Sequence, residues 1–213
     1  PRVTGRYFAD VRNGTSPDWM AKRLIAVGQR PISALVDITN YVMIDIGRPL
    51  HAFDADKIIG GELTIRHAIA GETILALNEK EYKCTADMLV IADGSGADDI
   101  AGIMGGERTG ISEATTNLFL EIAVFDPISI ATTGRALNIN SDARYRFERG
   151  LDGTSPDSLA GYIARLVNSI CGGRISRKVA VGGGVEWQRD ILFSTSLTKQ
   201  LSGIELNPKE QKK

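Results

Sequence analysis

The sequence predicts an α/β (α+β) fold in which helices cover a mostly antiparallel sheet. Apolar residues recur at helical spacing in some segments and alternate in others. The two patterns follow each other without a fixed period, so the sequence contains no internal repeat. This mixture of short strands and helices is typical of the class. With 213 residues and 43% apolar composition, the chain can bury a substantial core as one large or two small domains.

Two helices are predicted near the amino end. Ser16 is expected to cap a helix that opens with Pro17 and stops at Gly28. A second helix should follow Pro31 and end before Gly47, because glycine favours helix ends. Their apolar sides comprise Trp19, Met20, Leu24 and Ile25 in the first helix, and Ile32, Leu35, Val36, Ile38, Val42 and Met43 in the second.

The middle of the chain changes to strand patterns. Between Glu62 and Asp93, short alternating runs and the apolar stretch 88–92 predict strands joined by polar turns. A further strand is predicted over 117–125. Within it, Glu121 is a carboxylate in a strongly apolar run, and side-chain alternation places it with Phe119 and Ala123, opposite Leu118, Leu120 and Ile122.

Two more helices follow this strand. Asp126-Pro127 is expected to cap and start a helix that reaches about Leu137. Ser155-Pro156-Asp157 repeats that start signal for a helix ending at Cys171, before two glycines. The apolar face of this helix comprises Leu159, Tyr162, Ile163, Leu166, Val167 and Ile170.

Composition excludes several function classes. A net charge of −1 argues against an electrostatic grip on nucleic acid across the whole surface, so any RNA contact must be local. Cys84 and Cys171 match no CxxC pattern, and they are interpreted as small core residues in a reducing compartment, not as a disulfide or a zinc site. Since neither a membrane span nor a signal peptide is recognisable, a cytoplasmic location is expected.

The carboxyl end differs from the rest. Residues 1–181 are expected to form one domain, and residues 182–213 a linker with the truncated start of the next. Gly182-Gly183-Gly184 indicates a flexible joint, 191–194 a strand, and 195–204 a short helix. Because these elements are too few to fold alone, and the chain begins without Met, we expect a fragment of a longer polypeptide.

Three segments combine apolar residues with polar ones that packing alone would not select. They are RPISALVDITNYVMIDIGRPLHAFD over 30–54, AGIMGGE over 101–107 and SDARYRFERG over 141–150. Together they resemble the B3/B4 domain of the bacterial phenylalanyl-tRNA synthetase beta subunit, in the right order and over a match from about Arg6 to Asp152. The resemblance implies a compact domain of stacked sheets with helices outside, which edits mischarged tRNA.

The resemblance also implies a substrate pocket. It places Asn40 on the pocket wall and His51 at the editing pocket, whereas packing alone would explain both as hydrogen-bonding structural residues. The glycine pair Gly105-Gly106, with Gly102, is either a tight turn or a place where a ligand approaches the backbone. The glutamate at the position of Glu121 recognises the phenolic hydroxyl of tyrosine in the family.

The third segment completes the implied pocket with Ser141, Asp142 and Ala143. The family often has Thr where this chain has Ser141, and the small Ala143 would admit an aromatic ring. No catalytic residue is assigned: His51 and Ser141 are candidates, but no spacing supports a triad with Asp142. No metal ligands are expected.

The cluster Arg144, Arg146, Glu148 and Arg149 has two interpretations. It is either a set of surface ion pairs or, through Arg144 together with Arg135, a contact to the tRNA 3′ end. The chain has Arg135-Ala136 where many relatives carry paired basic residues, and Asn138 where Gly is frequent, which weakens the second interpretation.

The implied activity is hydrolysis of mischarged Tyr-tRNA(Phe) by part of a phenylalanine–tRNA ligase. The parent would use ATP and Mg²⁺ at other parts of the enzyme, with the alpha subunit in an (alpha-beta)₂ assembly. Alternatives are a free-standing trans-editing deacylase and a non-catalytic tRNA-docking module. The sequence contains no phosphate-cradling motif of the G-K-[ST] type.

Overall fold

The computed structural model describes residues 1–183, 188 and 190–212. The strands are β1 (Arg2–Ala9), β2 (His51–Asp54), β3 (Thr64–His67), β4 (Thr73–Leu75), β5 (Glu81–Lys83), β6 (Leu89–Asp93), β7 (Gly96–Ile100), β8 (Leu118–Val124), β9 (Arg174–Ile175) and β10 (Val179–Gly182). The helices are α1 (Asp18–Ala26), α2 (Ala34–Asp45), α3 (Pro127–Ala136), α4 (Asp142–Phe147), α5 (Ser155–Cys171) and α6 (Thr195–Ser202).

The strands form three sheets. The largest has five strands in the order β10-β1-β8-β2, with β9 also paired to β1. A three-stranded sheet has the order β3-β6-β7, and β4 pairs with β5. All pairings in the described part of the chain are antiparallel, and helices pack against the sheets. The predicted fold class is therefore confirmed.

Strand β8 lies between two apolar cores. Leu118, Leu120 and Ile122 pack in one core with residues of α1, α2 and α5. Phe119 and Ala123 face a second core, which contains residues of β6, β7 and α3. The alternation predicted for this strand is thus confirmed, and it places Glu121 on the side of the second core.

Helix α3 begins as its sequence predicts, whereas α1 does not. The Asp126 carboxylate accepts a hydrogen bond of 2.8 Å from the N–H of Ser129, as an N-cap should. The expected capping by Ser16 is wrong, because Pro17 occupies the N-cap position and the Ser16 hydroxyl donates to Asp37. The predicted apolar side of α1 is also too wide, since Trp19 is 43% exposed.

The secondary-structure elements predicted for the carboxyl end are confirmed in part. A short helix forms at α6, but the strand predicted over 191–194 is wrong, because those residues are exposed and pair with no strand in the described ranges. Gly182 belongs to β10, which pairs with β1. Gly183 has no regular structure, and Gly184 lies outside the described residues. Cys84 and Cys171 are buried and free, as expected of core residues.

Candidate functional site

A cavity of about 80 Å³ opens where β2, β7 and β8 meet the turn after β7 and helix α4. His51, Gly105, Glu121 and Ala143, all identified from the sequence, line it together. Its other lining residues are Pro49, Leu50, Ile91, Asp99, Ile100, Gly102, Ile103, Met104, Ala123, Phe125 and Phe147. The wall is therefore mostly apolar, with an imidazole and two carboxyl groups as its ionisable groups.

His51 begins β2 and lies directly across from Glu121 on β8. Its ring contacts Phe53 edge-on, with ring centroids 4.3 Å apart. Its Nε2 atom lies 3.2 Å from Oδ2 of Asp99 but forms no properly aligned hydrogen bond within the described residues. Burial lowers the pKa of His51 to about 4, so the imidazole is neutral at pH 7.

Glu121 is a buried carboxyl group that lacks a polar partner. Only 4% of the residue is exposed, and its Oε2 atom has no hydrogen-bond partner in the described chain. Burial, together with the negative charge of Asp99, raises the pKa of Glu121 to about 8. Among its strand neighbours, Gly5 on β1 provides no side chain to contact it.

Asp99 is a site residue that the sequence analysis missed. Its Oδ1 atom accepts a hydrogen bond of 2.7 Å from the N–H of Gly106, and its side chain is 3% exposed. Burial raises the pKa of Asp99 well above its usual range, although the Gly106 N–H opposes this shift. The adjacent Asp98 binds Arg108 at 3.2 Å and accepts from Thr109. Two consecutive aspartates before an apolar run were the available signal.

The glycines of the GIMGGE turn serve close packing. A Cβ atom at Gly105 would clash with the His51 ring, and one at Gly106 would clash with the backbone of Asp98. Gly102 has a φ of +68° and packs against Phe125. At Gly102 and Gly106 these contacts favour the tight-turn interpretation over the one in which glycine makes space for a ligand. The Gly105 N–H, however, donates to no group in the described chain.

The other predicted residues lie outside the cavity or are already bonded. Asn40 is half-buried on α2 and is not among the lining residues. The Ser141 hydroxyl donates to the Ile103 carbonyl oxygen at 2.6 Å and accepts from the N–H of Arg144, so it caps α4. Asp142 binds Arg146 at 3.0 Å. Ser141, His51 and Asp142 therefore form no triad, and the acidic neighbour of His51 is Asp99.

The arginine cluster forms ion pairs, as one of its two interpretations expects. Arg144 is only 8% exposed and binds Glu148 at 3.0 Å, while Arg149 binds the same glutamate at 2.8 Å. Gly134 makes room for Arg144, because a Cβ atom there would overlap the guanidinium. Arg144 is thus unavailable to a tRNA end, whereas Arg135 is exposed on α3.

The described residues contain neither a metal-binding cluster nor a membrane-spanning helix. No group of three or more His, Cys, Asp or Glu side chains is arranged to hold a metal ion in residues 1–183, 188 and 190–212. Within the same ranges, no helix combines the length and the apolar character that crossing a membrane requires.

Comparisons with known proteins agree on one family. Residues 1–172 match the model of the family described as B3/4 domain. The phenylalanine–tRNA ligase beta subunit of Ruegeria pomeroyi is 49% identical over 212 residues, covering 100% of this chain and 26% of that protein. The beta subunit of Rhodospirillum rubrum is 50% identical over 200 residues, covering 94% of this chain and 25% of that protein. The chain thus spans about a quarter of these curated relatives.

A solved structure is also similar to the chain. It is the crystal structure of an N-terminal fragment of the phenylalanyl-tRNA synthetase beta subunit from Pyrococcus horikoshii. The comparison has a TM-score of 0.46 at 14% identity and covers 100% of this chain and 58% of that one.

Proposed function

Because this chain belongs to the B3/4 domain family, we propose that it is the editing domain of a phenylalanine–tRNA ligase beta subunit and hydrolyses mischarged Tyr-tRNA(Phe). The observation that carries the proposal is the pair of unpartnered polar atoms in the cavity. Nε2 of His51 and Oε2 of Glu121 are both buried, and both belong to residues that line one mostly apolar cavity. Buried polar atoms without partners are rare, so a polar ligand group is expected to satisfy them.

The chemistry of discrimination explains why a polar group in an apolar pocket is useful. A pocket built for Phe rejects an analogue with one extra hydroxyl by only about 100-fold. A second pocket improves on this if it hydrogen-bonds the hydroxyl and leaves a buried polar group unsatisfied when Phe enters. That penalty is about 1–3 kcal/mol. Glu121 is the group to which we assign this role.

Hydrolysis of an aminoacyl ester requires a positioned water molecule and a polarised carbonyl group. We assign the N–H of Gly105 to polarising the carbonyl group of the substrate ester, because it donates to no acceptor in the described chain. Ser141 is assigned to capping, since its hydroxyl already donates to the Ile103 carbonyl oxygen. The group that activates water is either His51 or a group of the substrate.

The activity of the parent protein is inferred from its relatives alone. We propose that the parent attaches Phe to tRNA(Phe) with ATP and Mg²⁺ and pairs with an alpha subunit in the cytoplasm. The residues described here do not fit Mg²⁺, because no cluster of three potential ligands is present among them. We assign both ligands to other parts of the parent enzyme.

Two alternatives are distinguishable. A free-standing trans-editing deacylase would hydrolyse Tyr-tRNA(Phe) without the rest of a synthetase, and a tRNA-docking module would bind without hydrolysis. The unpartnered His51 and Glu121 favour an amino-acid pocket over a docking module, because docking to RNA needs no buried carboxyl group.

The test is the release of labelled amino acid from Tyr-tRNA(Phe) and from Phe-tRNA(Phe), by the 213-residue chain and by a full synthetase that contains it. We expect Tyr to be released faster than Phe. A variant in the exposed Asp10–Arg174 pair, Asp10→Asn, is the matched control, and it should behave as the parent. Release of neither amino acid by the full synthetase would contradict the proposal.

A further inference from the structure

Two carboxyl groups, those of Asp99 and Glu121, line the same cavity without a cationic partner. Their exposures are 3% for the Asp99 side chain and 4% for Glu121. Asp99 has the neutral His51 as its nearest basic group, and Glu121 has no ion pair in the described chain. A buried carboxylate that is neither paired nor fully hydrogen-bonded is strongly disfavoured relative to the acid. At least one proton is therefore expected to remain on this pair at neutral pH.

Of the charged groups around the pair, Asp98 raises the pKa of Asp99 through its charge and a side-chain hydrogen bond, whereas the charge of Arg108 lowers it. Arg108 is directed at Asp98 and Asp93, with distances of 3.2 and 2.9 Å. Arg48 donates to the carbonyl oxygen of Ala123 at 3.1 Å and not to a carboxyl group of the site. Arg108 and Arg48 therefore form their ion pairs and hydrogen bonds with groups other than Asp99 and Glu121.

The remaining neighbours of Glu121 come from β1 and from a second cavity. On β1, Gly5 is its partner, whereas Arg6 pairs with Leu120 and so faces the opposite side of the sheet. A cavity of about 560 Å³ shares Glu121 with the first and is also lined by Tyr7 and Glu62. None of these groups supplies a positive charge to Glu121.

We propose that Asp99 and Glu121 form a coupled carboxyl pair, in which Asp99 keeps Glu121 protonated at neutral pH. Because two nearby carboxyl groups resist carrying two negative charges in a buried site, each raises the proton affinity of the other. The Gly106 N–H holds Oδ1 of Asp99 and so fixes the orientation of its carboxyl group. Asp99 is in this sense a positioning residue for the proton of Glu121.

The pair changes what Glu121 can recognise. A carboxylate only accepts hydrogen bonds, whereas a carboxylic acid donates through O–H and accepts at its other oxygen. A protonated Glu121 matches a hydroxyl group, which also has one proton and lone pairs to offer. This consequence rests on the proposed function, since it makes Tyr preference depend on the proton held by the pair.

The test is an infrared titration of the 213-residue chain, which follows the carbonyl stretching band of protonated carboxylic acids from neutral to alkaline pH. Subtracting the spectrum of Glu121→Gln isolates Glu121, and subtracting that of Asp99→Asn isolates Asp99. We expect Glu121 to be protonated at neutral pH in the parent. Asp99→Asn should lower its titration midpoint by about one pH unit, and Glu121→Gln should lower that of Asp99 equally, because coupling is reciprocal.

Asp99→Asn should keep the fold, because the amide oxygen can still accept from Gly106. If that variant unfolds, the midpoint of Asp99 in Glu121→Gln decides the question alone. Asp10→Asn removes a remote charge, and it should move neither midpoint. Unchanged titration midpoints, or an ionised Glu121 at neutral pH in the parent, would contradict the proposed coupling of Asp99 and Glu121.

The same variants separate the pair from the proposed function. In a full synthetase, Asp99→Asn should lower the pH at which Tyr-over-Phe preference declines. If the infrared midpoint moves and the pH profile of this preference does not, the pair stands and the recognition role of Glu121 fails.

Discussion

A buried carboxyl group without a hydrogen-bond partner lowers the free energy of unfolding. Glu121, at the wall of the cavity, is such a group. Burial raises its pKa to about 8. Strongly shifted pKa values cluster at functional sites. At the residue scale, recognition is expected to depend on this group and on the space beside it.

Glu121→Ala should remove the recognition of the hydroxyl group and leave the fold intact, because alanine fills less space and introduces no polar atom. From a hydrogen-bond contribution of about 1–3 kcal/mol, we expect Tyr-over-Phe preference in hydrolysis to fall by about 5- to 150-fold. Single-turnover deacylation of the two charged tRNAs measures it. Equal preference in the mutant and the parent would refute the role.

Ala143→Trp should block hydrolysis of Tyr-tRNA(Phe) by filling the cavity. Ala143 lines it beside Phe147, so an indole ring would occupy the space left for the substrate ring. We expect release of Tyr to drop to the rate without protein. Ala143→Ser, which adds one atom, is the matched control. A folded Trp mutant with unchanged hydrolysis would place the substrate elsewhere.

At the scale of elements, the sequence predicts those whose signals are local. Asp126-Pro127 is sufficient to start α3, and Asn138, with a φ of 52°, ends it in the conformation that Gly often provides. Helix α4 and strands β1, β2, β7, β9 and β10 were not predicted from the sequence. Gly5 in β1 and the two aspartates of β7 break the alternation that identifies a strand, and both strands form because neighbouring strands satisfy their backbone groups.

The candidate site was likewise predicted only where its signals are local. The sequence motifs identify His51 and Glu121, and the structure brings them opposite each other on adjacent strands. Asp99 was missed because its importance depends on burial beside His51, which lies 48 positions earlier in the chain and on another sheet. Local spacing carries no information on such a contact.

Helix α4 provides a test at this scale, because Ser141 both caps it and binds the turn that lines the cavity. Ser141→Ala should destabilise the chain by about 1 kcal/mol, as measured by urea unfolding, through loss of the cap. Tyr release should decline only moderately, since the hydroxyl is not assigned to chemistry. Ser141→Thr should retain both hydrogen bonds. Complete loss of hydrolysis in a folded Ser141→Ala variant would indicate a catalytic hydroxyl instead.

At the scale of the whole molecule, stability should depend on pH through buried groups whose pKa values shift in opposite directions, among them Glu121 and His51. The pKa of Glu121 rises from 4.5 to about 8 on folding, so its contribution is complete below pH 4.5 and is lost as pH rises through 8. The pKa of His51 falls from 6.5 to about 4, so its contribution is complete above pH 6.5 and is lost as pH falls through 4.

Unfolding free energies of Glu121→Gln and of the parent, measured between pH 4.5 and 8, test this dependence. We expect the parent to lose stability relative to the variant as pH rises, by up to about 1.4 kcal/mol for each unit of pH. His51→Gln should show the reverse dependence on the acid side. A constant difference between parent and Glu121→Gln across this range would mean that Glu121 titrates normally.

A further whole-molecule prediction concerns ATP. The 213-residue chain should neither bind ATP tightly nor catalyse Phe-dependent pyrophosphate exchange, because its sequence has no phosphate-cradling motif. Its net charge of −1 also predicts weak tRNA affinity that falls with added salt. Calorimetry with ATP and Mg²⁺, and an exchange assay, measure these properties. Clear exchange by the purified chain would contradict an editing role alone.

Strand β8 has one more consequence, which concerns the order of folding. Its two faces belong to different cores, so neither core alone fixes the strand in place. Its pairing with β2, which sets His51 against Glu121, joins residues far apart in sequence, and such pairings form late because a long loop must close first. A half-folded chain would therefore have its helices in place but lack the pairing that sets His51 against Glu121. The pairing of β1 with β10 joins residues still further apart, so the whole five-stranded sheet, and the proposed pocket with it, is expected to form after the helices.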